Sequence, residues 1–180
     1  MRRSNRISLL ALVGIVLAGA LTGVNKASAQ ANGEASTTGA GTVVRGVAIH
    51  KERDLEFGAI VASASSGTCV ITAASSTTRS ATGGVTLTDQ GGLTPASAEF
   101  DVTGNPNFTY TITLPNSVTI TNTTGNNETM TITDMTKSNQ GPQLNGQGTE
   151  TWWAGGTLNV AADQAAGRYT GTFDVGVAYD

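Results

Sequence analysis

His50 is the only histidine in the 180-residue chain and Cys69 the only cysteine. Acyl transfer by a Ser-His-Asp or Cys-His arrangement would have to be built on that one imidazole. It stands between Ile49 and the charged run Lys51-Glu52-Arg53-Asp54, the setting of a solvated strand end rather than of a desolvated base. A histidine- or thiolate-held zinc would need a second such ligand, which the sequence lacks. Asp54 and Glu56 alternate with Leu55 and Phe57, so on a strand both carboxylates face one side, away from the core. A calcium site or a glycosidase acid pair would need partners from elsewhere, and no acidic cluster with loop spacing occurs. The expectation is a protein that is not an enzyme, with no cofactor and no metal.

Trp152-Trp153 is the most pointed aromatic feature. Adjacent strand residues face opposite sides, so one ring is expected in the core and the other at the surface, open to stack on a sugar or a protein partner. Packing of both rings is the plainer alternative. Trp152 and Trp153 are retained as ligand contacts, beside the polar stretch Ser138 to Gly148, the longest without a strand signal. Asn107, Asn122 and Asn127 each open an Asn-X-Thr acceptor pattern, which arises by chance in a chain this rich in Thr and Asn.

The N-terminus carries Arg2, Arg3 and Arg6, then an apolar run from Ile7 to Leu21, then Ala27-Ser28-Ala29. This is the pattern of a cleaved signal peptide, with cleavage expected after Ala29, by the general secretory route. No second apolar run follows, so no membrane span is expected after cleavage. Cleavage leaves 151 residues, the size of one domain. It removes four of the ten basic residues and none of the thirteen acidic ones, for a net charge of about −7. Nucleic acid is therefore not an expected partner. With one cysteine there is no internal disulfide, and Cys69, in the strand-like run Thr68 to Ile71, is expected to be a buried thiol.

Residues 30–42 are Ala, Gly, Ser and Thr with little else, a composition too poor in apolar surface to order itself, and are read as a flexible arm. From Val43 to Asp180 short alternating segments are separated by Gly, Asn, Asp and Pro, with almost no helical periodicity. Strands are expected at Val43 to Ile49, Leu55 to Val61, Thr68 to Thr72, Gly83 to Leu87 and Ala98 to Thr103. Others are expected at Phe108 to Leu114, Ser117 to Asn122, Thr129 to Asp134, Thr157 to Val160 and Arg168 to Tyr179. Turn signals at spacings of roughly 8 to 12 residues suit a single antiparallel β-sandwich over 43–180.

The final row Tyr169, Gly171, Phe173, Val175, Val177 and Tyr179 alternates to the end of the sequence, and an apolar row of that length must be covered. Together with Asp54 to Ile60, Phe100 to Gly104, Tyr110 to Pro115, Gly155 to Val160 and Gly167 to Phe173, it resembles a pilin-like bacterial family, domain of unknown function 4402. The resemblance covers nearly all of Val43 to Asp180. The ending is also similar to chaperone-usher pilins, which place a glycine fourteenth from the C-terminus and an aromatic second from it, the positions of Gly167 and Tyr179 here.

The resemblance implies an immunoglobulin-like, pilin-like sandwich assembled by β-strand complementation. The assembly strand would carry Gly167, Tyr169, Phe173, Val175, Val177 and Tyr179, and the best donor row is Val43, Val47 and Ile49. It implies as partners other copies or related subunits, a periplasmic chaperone and an outer-membrane usher. Backbone hydrogen bonds would supply the attraction and alternate side chains the register. Two features depart from the pilin pattern: residues 30–41 carry no large apolar side chain, and one cysteine cannot make a disulfide. The expected function is an exported, cell-surface structural or adhesive fimbria-like subunit. The alternative is a monomeric secreted or periplasmic binding module for a glycan or protein.

Overall fold

The computed structural model describes residues 33–125, 127–138 and 142–180. The expected signal segment and the first residues of the expected arm lie outside the described residues. Residues 33–41 carry no strand and are exposed, and Thr42–Asp180 form a compact unit. Every regular element among the described residues is a β-strand, and every strand pair is antiparallel.

In chain order the strands are β1 (Ala48–Arg53), β2 (Ile60–Val61), β3 (Gly67–Ile71), β4 (Arg79–Gly83), β5 (Thr86–Leu87) and β6 (Ala98–Thr103). They continue as β7 (Tyr110–Thr113), β8 (Ser117–Asn122), β9 (Thr129–Lys137), β10 (Thr149–Val160), β11 (Tyr169–Thr170) and β12 (Gly176–Tyr179). One curled sheet runs β1-β6-β10-β9-β8-β11, with β3 paired to β10 and β4 to β3, while β12 pairs β7 and β2 pairs β5.

The long strand β10 organises this sheet. Ala154 is partnered by both Ala98 of β6 and Lys137 of β9, and Leu158 by both Cys69 of β3 and Ile132 of β9. β9 therefore takes one edge of β10, and β6 and β3 share the other, meeting near Gly155. A Cβ on Gly155 would strike the Ile71 carbonyl, so the close arrival of the chain leaving β3 demands glycine there. The sequence suggests a turn at Gly155-Gly156. The structure instead runs a strand straight through, eight residues longer at its start than the expected Thr157 to Val160.

The even-numbered face of β10 covers two cores. Trp152 and Ala154 join Ala98, Phe100, Val102, Tyr110, Ile112 and Leu144 in one, and Leu158 and Val160 join Cys69, Ile71, Val118, Ile120, Met130 and Ile132 in the other. In β9 the register with β10 slips by one residue, and Asp134 takes a left-handed φ of 49°. That bulge reverses the alternation: Met130 and Ile132 point inward before it and Met135 after it, so the strand continues past its expected end at Asp134.

Three further expectations are corrected. The first strand begins at Ala48 and runs through the charged residues to Arg53, because as a sheet edge it can leave His50, Lys51 and Glu52 in water. Arg79–Gly83, mostly polar, forms a strand whose Ser80 and Thr82 face solvent. The C-terminal row is not one continuous strand: β11 pairs β8, residues 171–175 form no strand pairing among the described residues, and β12 pairs β7. The chain is crossing from one sheet to another, and the alternation of its side chains survives the crossing.

Candidate functional site

The first strand and the C-terminal row face one another across a seam. From β1 and the residue before it, Val47 and Ile49 pack on the core containing Phe100 and Trp152, and Val175, Val177 and Tyr179 pack on that same core from the other side. Tyr169 and Phe173 pack on the second core, so the C-terminal row spans both. β1 is hydrogen-bonded to β6, and β12 to β7. No strand pairing joins β1 to the C-terminal row among the described residues. Two runs that share a core thus leave their facing edges unpaired, and unpaired edges are templates for another strand.

One end of the seam is closed. The Tyr179 hydroxyl accepts the Asn105 N–H at 2.6 Å and donates to the Arg45 carbonyl at 2.8 Å. Phe108 meets the same ring edge-on at 5.3 Å, and Asp180 accepts from the Thr111 hydroxyl at 2.5 Å. The other end is a cleft of about 160 Å³. Leu55, Ala98, Phe100 and Phe173 give it apolar walls, and Lys51, Arg53 and Asp54 a charged rim. The rim charges are mutually engaged: Lys51 with Asp54 at 2.6 Å, and Arg53 with Glu99 at 3.0 Å. Nearby in sequence, Glu56 meets Arg168 at 3.5 Å. An entering group would therefore meet paired charges and an apolar interior, a setting suited to side-chain packing and backbone hydrogen bonding.

The proposed donor residues divide. Val47 and Ile49 are already packed into their own domain, whereas Val43 is 98% exposed. Gly167, at the entry to the assembly row, has φ 157°, and a Cβ there would run into the Asn122 side chain. Asn122 is buried and pins this junction, donating to the Ala166 carbonyl and accepting from Thr124. Burial also leaves its amide no room for a glycan.

The two tryptophans are separated as the alternation requires. Trp152 is fully buried and stacks on Phe100, so it has no surface to offer a ligand, which corrects the expectation for that residue. Trp153, on the opposite face, is half-buried, its backbone bonded to Ser138 at both N–H and C=O. Part of the stretch read as a loop is structural: Leu144 is buried and exchanges backbone hydrogen bonds with the turn at Asn107-Phe108. Residues 139–141 lie outside the described residues.

His50 is exposed and lies 3.6 Å from Glu52. Cys69 is fully enclosed in the core; burial pushes its thiol up, with the Arg79 cation acting weakly the other way. Among the described residues no group of three His, Cys, Asp or Glu side chains converges as a metal site would need, and no helix is long and apolar enough to cross a membrane.

Arg45, Gly104 and Asn105 were not legible as site residues. Arg45 and Asn105 act through backbone atoms, and Gly104 acts through lacking a side chain: a Cβ there would meet the Tyr179 hydroxyl. Arg79 carries no site signal in the sequence either. Its nearly buried guanidinium donates to the carbonyls of Phe57, Ala59 and Thr88 and to Asp89, tying two loops to β4.

An all-β antiparallel domain with an open edge between its first and last strands is the class these observations define. The chain belongs to the family described as Domain of unknown function (DUF4402), whose model matches residues 47–179. No curated protein and no solved structure matches it.

Proposed function

We propose that this chain is an exported structural or adhesive subunit of a bacterial surface fibre, assembled by adding a β-strand at the seam between β1 and the C-terminal row. The observation that carries this reading is that Ile49 and Val177 pack on one core while, among the described residues, their strands are not paired with each other. A strand added at the free edge of β1 would gain backbone hydrogen bonds along that edge and side-chain contact with the apolar cleft. On this reading the fold is an immunoglobulin-like, pilin-like sandwich, and the chain is not an enzyme. Its partners are other copies or related subunits, with a periplasmic chaperone and an outer-membrane usher in transit.

A second reading is favoured by the Tyr179 to Arg45 hydrogen bond, which closes one end of the seam within the chain. Under it the domain is self-complete: a secreted or periplasmic monomer that binds a glycan or protein through the face carrying Trp153.

Surface material sheared from the source cells and run on denaturing gels with and without boiling separates the two. A ladder that collapses to one band only on boiling supports strand-joined polymer. A single monomer band in both lanes rules the polymer out.

A further inference from the structure

We infer that the Tyr179 hydroxyl is a latch that holds residues 42–47 on their own domain and whose release frees that stretch as an arm. Strand pairing in this part of the chain begins only at Ala48. Before it, among the described residues, the one hydrogen bond from 42–47 to the rest of the domain is that from Tyr179 to the Arg45 carbonyl, at 2.8 Å. One apolar side chain, Val47, adds packing on the core, while Val43 and Val44 are exposed. A stretch held by one hydrogen bond and one side chain opens far more readily than the strands beside it.

The two halves of this contact are unequal. Tyr179 is held by strand pairing with Tyr110, by the edge of Phe108 and by the Asn105 N–H that its oxygen accepts. A phenol has one proton to give, and with its oxygen already accepting from Asn105 that proton is directed at Arg45. Tyr179 is thus the fixed half, and the 42–47 stretch is the half that moves. Val43 and Val47 are four residues apart, so in an extended chain they lie on one face. Release would bare Val47 beside the already exposed Val43, as a short apolar row. That this row then serves another subunit rests on the strand-addition reading above; the latch itself does not.

The test is limited trypsin digestion of the full purified chain, followed at the exposed Arg45 with the exposed Arg168 as internal reference. Tyr179→Phe removes the hydroxyl and keeps the ring. Cleavage after Arg45 should rise about fivefold, the effect of losing one ordinary hydrogen bond, with no change at Arg168. Val47→Ala, which leaves the hydroxyl in place, should also speed cleavage at Arg45 alone. An unchanged rate at Arg45 in Tyr179→Phe, or an equal rise at both sites, would overturn the latch. Because the digestion is read on the monomer, failure to find polymer would remove the assembly reading and leave this result standing.

Discussion

Trp152 and Phe100 are direct cross-strand partners of β10 and β6, and their rings stack at 4.6 Å with planes 13° apart. Trp152 is fully buried, and Phe100 also lines the cleft at the open end of the seam. The stack therefore links the most protected part of the core to the surface on which assembly is proposed.

Trp152→Ala would remove the largest enclosed side chain and leave Phe100 without its stacking partner. The expected cost is about 3–5 kcal/mol, read as a lowered midpoint in urea unfolding. Trp153→Ala, on the half-buried face, should cost clearly less. Equal costs would contradict the assignment of inner and outer rings.

Tyr110 is buried with no acceptor for its hydroxyl among the described residues. Its pKa is pushed up to about 12, first by burial and then by the nearby Glu150 carboxylate. A phenol whose folded pKa lies above its unfolded value of about 10 supports folding while protonated. That contribution is complete below about pH 10 and is lost as pH rises through about 12. Tyr110→Phe should move the alkaline unfolding midpoint upward. At neutral pH it should leave stability unchanged or raise it by about 1 kcal/mol, because an unpaired buried hydroxyl is removed.

Val175 and Phe173 pack on different cores. Val175→Asp or Phe173→Asp would place an unpaired carboxylate in an apolar setting. Folded, accumulated subunit should be lost in both, measured as exported protein per cell. Normal accumulation of either variant would contradict the role given to the C-terminal row.

The all-β class was legible because threonine-rich alternation is hard to mistake: Tyr110 and Ile112 point inward, and Thr111 and Thr113 outward. β6 and β8 coincide with their expected spans for the same reason. Legibility failed where tertiary contact overrides local signal. Gly155-Gly156 reads as a turn because the sequence does not show that the chain leaving β3 passes against it. The bulge at Asp134 and the sheet change over residues 171–175 are likewise set by neighbouring strands.

At the site, the apolar row from Tyr169 to Tyr179 was legible from its period of two. Its counterpart was not: Arg45 and Asn105 enter through backbone groups that every residue type possesses. Arg79 presented a lone cation in a polar run, and only the fold shows the three carbonyls converging on it.

The most direct test of strand addition is amide hydrogen exchange along β1, compared between purified monomer and sheared assembled material. With strand addition at the seam, β1 amides not bonded to β6 exchange rapidly in the monomer and become protected on assembly, together with amides of residues 171–175. Equal exchange of these amides in both samples, or new protection confined to another edge such as β4, would contradict it.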